Sequence, residues 1–279
     1  MMNMMRRRLA ALALLAMLAC RRTAPETAFQ TPWGHPDLQG VWTTATITPL
    51  ERRAEHQGKE FLTPAEAAAL IKKRETFFLD QFGPDADKTA GDQKVYQDEW
   101  TLGPSRRSSL VIDPPDGKIP FNAEGVKRLQ AAIAGFKAGR ADSPEDRDLG
   151  ERCLLFPNTT APMMPSGFYN DNFQILQTPN EVVFHIEMAH DTRLIPIDGR
   201  PSTGIPQWLG TSRGKWEGET LVVETNNFRV ATWLTPVGGA VFGTPTTRVV
   251  ERFTRVSADR IDFRATIEDP VQFSRPWTV

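Results

Sequence analysis

From Phe173 onward, apolar and polar side chains alternate in short runs separated by turn-forming pairs, the pattern of half-buried antiparallel strands. Three strands are expected across 170–201, parted at Pro179-Asn180 and Asp191-Thr192. A hairpin follows on Glu217-Gly218, and two more strands turn near Ser257 to Asp259. In the last of these Ile261, Phe263, Ala265 and Ile267 share one face, with Asp262, Arg264, Thr266 and Glu268 on the other.

The first half follows a different period. A strand is expected from Val41 to Thr48, closed by Pro49, and a short hairpin joins Leu110–Ile112 to Lys118–Phe121 around Asp116-Gly117. Between them, residues 61–82 read as a helix with Thr63 as N-cap, Pro64 at its first position and Glu66 completing a capping box. Ala67, Leu70, Ile71, Arg74 and Phe78 form its stripe. A second helix, 122–138, starts at Asn122 and carries Val126, Leu129, Ile133 and Phe136 on one side; Ser143-Pro144-Glu145 marks a further helix start. The expected fold is thus mainly β: an antiparallel meander of eight to ten strands closing into a barrel or a strongly curved sheet, hollow enough for a guest. Two to three helices are inserted in its N-terminal half.

The first nineteen residues stand apart. Arg6, Arg7 and Arg8 precede the apolar run Leu9 to Ala19, a length suited to a secretory signal peptide and too short for a membrane span. Its end, Leu18-Ala19-Cys20, is similar to a bacterial lipoprotein processing box, with Cys20 as the lipidated residue and simple secretion as the alternative. The expected organisation is a signal peptide over 1–19, a linker over 20–32 and one β-rich domain over 33–279, exported to the periplasm or anchored at the outer membrane. Cys153 is then left as a buried thiol or as half of a lost disulfide.

Of the 33 basic residues, three lie in the leader, which leaves 30 against 34 acidic ones. That balance argues against nucleic acid as a partner. No G-x-S-x-G, P-loop or dinucleotide fingerprint appears, and no cofactor is expected.

Two resemblances add to this reading. Gly40-x-Trp42 at the start of the first strand is similar to the opening motif of lipocalin and calycin barrels. The likeness implies that Trp42 closes one barrel end under a basic side chain from Arg252, Arg255 or Arg264. The blocks "PDLQGVWT", "PEDRDLGERCL", "YNDNFQILQTP", "IEMAHDTRLIPIDGRP", "QWLGTSRGKWEGETLVVETNNF", "VVERFTRV" and "EDPVQFSRPW", in this order, resemble a family of secreted or lipid-anchored bacterial proteins without established activity. That resemblance implies an exported β-rich domain and a further C-terminal segment with a cysteine, the implied partner of Cys153.

The chemistry-bearing stretch is "VVFHIEMAHDTRLIP". On a strand, Val182, Phe184, Ile186 and Met188 face the core, leaving His185 and Glu187 on the polar side and His190 near the turn. Glu187 and His190 are candidates for proton transfer and Arg193 for holding an anion; alternatively Asp191 and Arg193 form a turn ion pair. No metal is expected, because His185 and Glu187 supply only two ligands. Tyr169, Asn170, Asn172, Trp208, Trp216 and His185 are candidates for lining a small-molecule site, the tryptophans equally for packing. Three functions follow: binding of a small apolar or aromatic molecule, an enzyme built on Glu187, His190 and Arg193, or a structural lipoprotein. Oligomeric state is left open.

Overall fold

The computed structural model describes residues 29–82, 102–103, 105–139, 142–156, 158–165, 170–202, 204–230, 232, 234, 241 and 243–279. Residues 1–28, Cys20 among them, and Tyr169 lie outside them, as do the side chains of Phe78 and Phe136.

Strand β1 (Gly40–Thr43) is followed by helices α1 (Pro64–Phe82) and α2 (Ala123–Ala138). Then come β2 (Asn172–Gln177), β3 (Glu181–Ile186), β4 (Thr192–Pro196), β5 (Thr211–Glu217), β6 (Thr220–Asn226), β7 (Arg248–Ser257), β8 (Arg260–Glu268) and β9 (Trp277–Thr278). These make two antiparallel sheets, β1-β2-β3-β4 and β5-β6-β7-β8-β9. The fold is therefore mainly β with few helices. Among the described residues no ladder joins the sheets into one closed barrel.

Their inner faces share one core. Leu38, Phe173, Ile175, Val182, Phe184 and Ile186 from the first sheet and its lead-in pack against Leu221, Val223 and Phe253 from the second. Phe184 meets Phe253 edge-on at 5.0 Å, a favoured aromatic geometry. The two sheets approach closely where β4 passes β5: a Cβ on Gly214 would lie 2.7 Å from Ile197 Cγ2 and 2.9 Å from Ile195 Cγ2, so only glycine allows the crossing.

The expected hollow is occupied. Residues 158–165, "NTTAPMMP" without regular structure, are all buried; Met163 enters the first core, while Ala161 and Met164 enter a second with Val249, Ile267, Phe273 and Trp277. A loop this deep must find partners for its backbone. One is unusual: the Met163 N–H donates to the carboxylate of Glu251 at 2.8 Å.

Several expectations are corrected. The first strand ends at Thr43 instead of Thr48, because threonine hydroxyls turn the chain locally: the Thr48 N–H donates to Thr46 Oγ1 at 3.1 Å. The hairpin over 110–121 does not form. Instead, the backbone of Ile112 and Asp113 bonds to Thr278 in β9, a pairing between chain positions far apart. α1 has its capping box, with Thr63 N–H donating to Glu66 Oε2 and Glu66 N–H to Thr63 Oγ1, and packs Ala67 and Leu70 against Leu62 and Leu102. On α2, of the expected stripe, Val126 and Ile133 are exposed and Leu129 is half-buried; among the described residues of the helix Gly125 is the buried one. Ser143-Pro144-Glu145 starts only one 3-10 turn, Pro144–Asp146. Cys153 is a free, exposed thiol rather than a buried one.

At the opening motif, Gly40 has φ 143° and a Cβ there would touch the Trp42 indole. The Trp42 indole N–H donates to the Leu38 carbonyl at 2.9 Å. Of Arg252, Arg255 and Arg264, Arg255 is the one that lies over the Trp42 ring, 5.1 Å from its centroid.

Candidate functional site: a polar turn with unpaired buried atoms

β3 stops at Ile186, and the chain returns through a 3-10 turn, Met188–His190, earlier than the expected Asp191-Thr192 turn. The reversal is forced through left-handed backbone at two consecutive residues that are not glycine, Ala189 (φ 57°) and His190 (φ 56°); nearby Asn170 adopts φ 58°. Such conformations cost energy and cluster where function requires them. Glu187, exposed at this turn, is a strand clasp: its N–H donates to the Asn172 carbonyl at 3.0 Å and its carboxylate accepts from Asn172 Nδ2 at 2.9 Å. His190 is exposed, its Nδ1 3.2 Å from the Glu187 carbonyl oxygen. His185 faces outward, its Nδ1 3.1 Å from Thr192 Oγ1, its ring 6.5 Å from that of His190.

Behind the turn runs the buried loop. Asn158 Nδ2 donates to the Asn170 carbonyl at 3.0 Å and reaches Asp171 Oδ1 at 3.4 Å, tying the loop to the start of β2. Asp191 is half-buried, and burial pushes its carboxyl above the usual aspartate range. The Thr159 hydroxyl beside it offsets part of that. Three buried oxygens here have no hydrogen-bond partner: Asn158 Oδ1, Thr160 Oγ1 and Asp191 Oδ2. Unpaired buried polar atoms are rare in native proteins and each requires a reason.

Arg193 does not join Glu187 and His190. It is buried on the opposite face of the sheet in a forked pair with Glu251, Nη2 to Oε2 at 2.5 Å and Nη1 to Oε1 at 3.2 Å. Its Nη2 also approaches Thr225 Oγ1 at 3.3 Å, and Ser212 and Thr225 are joined at 2.9 Å. This network links β4, β5, β6, β7 and the 158–165 loop through the core. Arg193 therefore neither pairs with Asp191 nor holds an anion at the turn.

No family model, curated protein or solved structure matches the chain.

The candidate ligand residues divide accordingly. Asn170 and Asn172 belong to the turn, and Tyr169 lies outside the described residues. Trp216 packs into the core with its ring 5.7 Å from that of His35, while Trp208 sits in the loop before β5 under the Arg229 guanidinium at 4.7 Å. No group of three or more His, Cys, Asp or Glu placed to hold a metal occurs among the described residues, and no helix there is long and apolar enough to cross a membrane. Sequence reading missed Glu251 and the 158–160 stretch. Glu251 carried a usable signal, because it sits between Val249 and Phe253 on the apolar phase of β7. Asn158-Thr159-Thr160 had none, since nothing in an irregular polar triplet announces burial.

Proposed function

We propose that the protein is an exported binding protein for a small molecule, held at the polar turn by Asn158, Thr160 and Asp191. Asn170, Asn172 and His190 form the rim. The single observation that carries this reading is the set of three buried oxygens without partners, which a ligand carrying hydroxyl or N–H donors would satisfy. The left-handed pair Ala189-His190 supports it, as strain retained at the same place. The ligand seats at the mouth of a barrel-like pair of sheets, because the interior is taken by Phe184, Phe253 and the 158–165 loop.

Export through residues 1–19 and lipidation at Cys20 belong to the same proposal; a Cys20→Ala variant that still incorporates radiolabelled palmitate rejects the anchor. For the ligand, the test is native mass spectrometry of the protein after exposure to a periplasmic metabolite extract. A retained mass, lost in Asn158→Ala and in Asp191→Asn, is the expected result. Absence of any retained mass, or retention unchanged in both variants, overturns the reading.

A further inference from the structure

A concavity borders the β5–β6 hairpin, and none of the residues lining it belongs to the polar turn. The segment 198–202 crosses the outer face of the β5–β6 hairpin and leaves a cavity of about 450 Å³, within the usual range for small-molecule sites. Pro196, Pro201 and Val222 supply its apolar surface; Arg200, Arg213, Lys215 and Glu224 supply the charged one. Strand parity explains the mixture. Register pairs Arg213 with Glu224 and Lys215 with Val222 on the face turned away from the core, while Ser212, Gly214 and Trp216 alternate inward.

The loop is held in place by Arg213. Its Nε donates to the Arg200 carbonyl at 2.9 Å, Nη2 to the Pro201 carbonyl at 2.8 Å and Nη1 to the Ser212 carbonyl at 2.7 Å. Carbonyl oxygens orient the guanidinium without neutralising it. Its neighbours, by contrast, are paired: Arg200 with Asp198 and Glu181, Lys215 with Glu217, and Glu224 with Arg248. Among the described residues no carboxylate lies within salt-bridge distance of Arg213. Arg213 therefore keeps its charge without an ion-pair partner, on a fork fixed by three of its five N–H groups and with two left to offer.

We infer that this cavity binds a small organic acid, its carboxylate on Arg213 and Lys215 and its apolar body over Val222, Pro196 and Pro201. The site is independent of the polar turn, and failure of one leaves the other standing. The test titrates the ¹⁵N-labelled protein with benzoate, with benzamide, which keeps the ring but has no charge, and with acetate, which keeps the charge but has no ring. Saturable shifts at Gly199, Gly214, Lys215 and Asn226 are expected with benzoate, with affinity at least about tenfold weaker for either of the others. Lys215→Glu, at an exposed position that leaves the core untouched, should weaken benzoate about tenfold or more, and Asp191→Asn should leave it unchanged. Shifts that do not saturate, equal affinity for benzamide, or full benzoate binding by Lys215→Glu overturns the assignment.

Discussion

Two aspartates, Asp269 and Asp191, are withdrawn from water in this protein, and their surroundings differ in kind. Asp269 accepts from the hydroxyls of Thr244, Thr246 and Thr247, from Gln272 Nε2 and from the Val271 N–H, at 2.6 to 3.0 Å. Burial alone would raise its carboxyl, yet these donors together hold it below the ordinary value. Asp191 has burial with only the Thr159 hydroxyl to offset it, lies above the ordinary value and leaves one oxygen unpaired. The first is a saturated network that closes a loop onto β8. The second is an unsaturated one at a strained turn, and the proposed ligand site rests on that contrast.

The largest break is expected at the charge pair in the core. Glu251→Ala leaves the Arg193 guanidinium buried without a counter-charge and should cost about 3–5 kcal/mol in urea unfolding. The double change Arg193→Met with Glu251→Leu should recover most of it, because two apolar groups need no partner. A loss under about 1 kcal/mol for Glu251→Ala would mean that the pair is solvated.

The two aspartates should respond oppositely. Asp269→Asn is expected to cost about 1–3 kcal/mol at neutral pH, since an amide replaces an acceptor facing several donors. Asp191→Asn should be neutral or slightly stabilising, because a poorly solvated charge is removed. The pH dependence has opposite signs as well. Asp269, with its value lowered on folding, contributes stability that is present above the unfolded aspartate value and lost as pH falls through the folded one. Asp191, with its value raised, contributes stability present below the unfolded value and lost as pH rises through the folded one. Thermal melts of the wild type and both variants between about pH 3 and 7 read this directly: the advantage of wild type over Asp269→Asn grows with pH, and its margin over Asp191→Asn shrinks. Parallel curves would erase the distinction.

The smallest effect sharpens the same point. Thr160→Val replaces an unpaired buried hydroxyl with a methyl of similar size and should stabilise by up to about 1 kcal/mol, while the ligand mass retained by wild type disappears. Destabilisation by more than that would show that Thr160 already has a partner.

Local pattern was enough for much of the architecture. Period two from Phe173 to Glu268 assigned β2 to β8 as strands and gave the inward faces of β3 and β8, since alternation on a pleat is a property of neighbouring residues. Thr63-Pro64-Ala65-Glu66 likewise placed the start of α1, because a capping box is completed within four residues. What the chain could not reveal on its own were relations across it. That β9 pairs with Asp113, that residues 158–165 fill the space between the sheets, and that Arg193 turns inward to Glu251 fifty-eight positions away are decided by packing. Burial changes what a polar residue means. The same arginine that reads as an anion holder beside a turn becomes, once both sheets close over it, a charge that needs an internal partner, and the ligand site proposed at the turn is built without it.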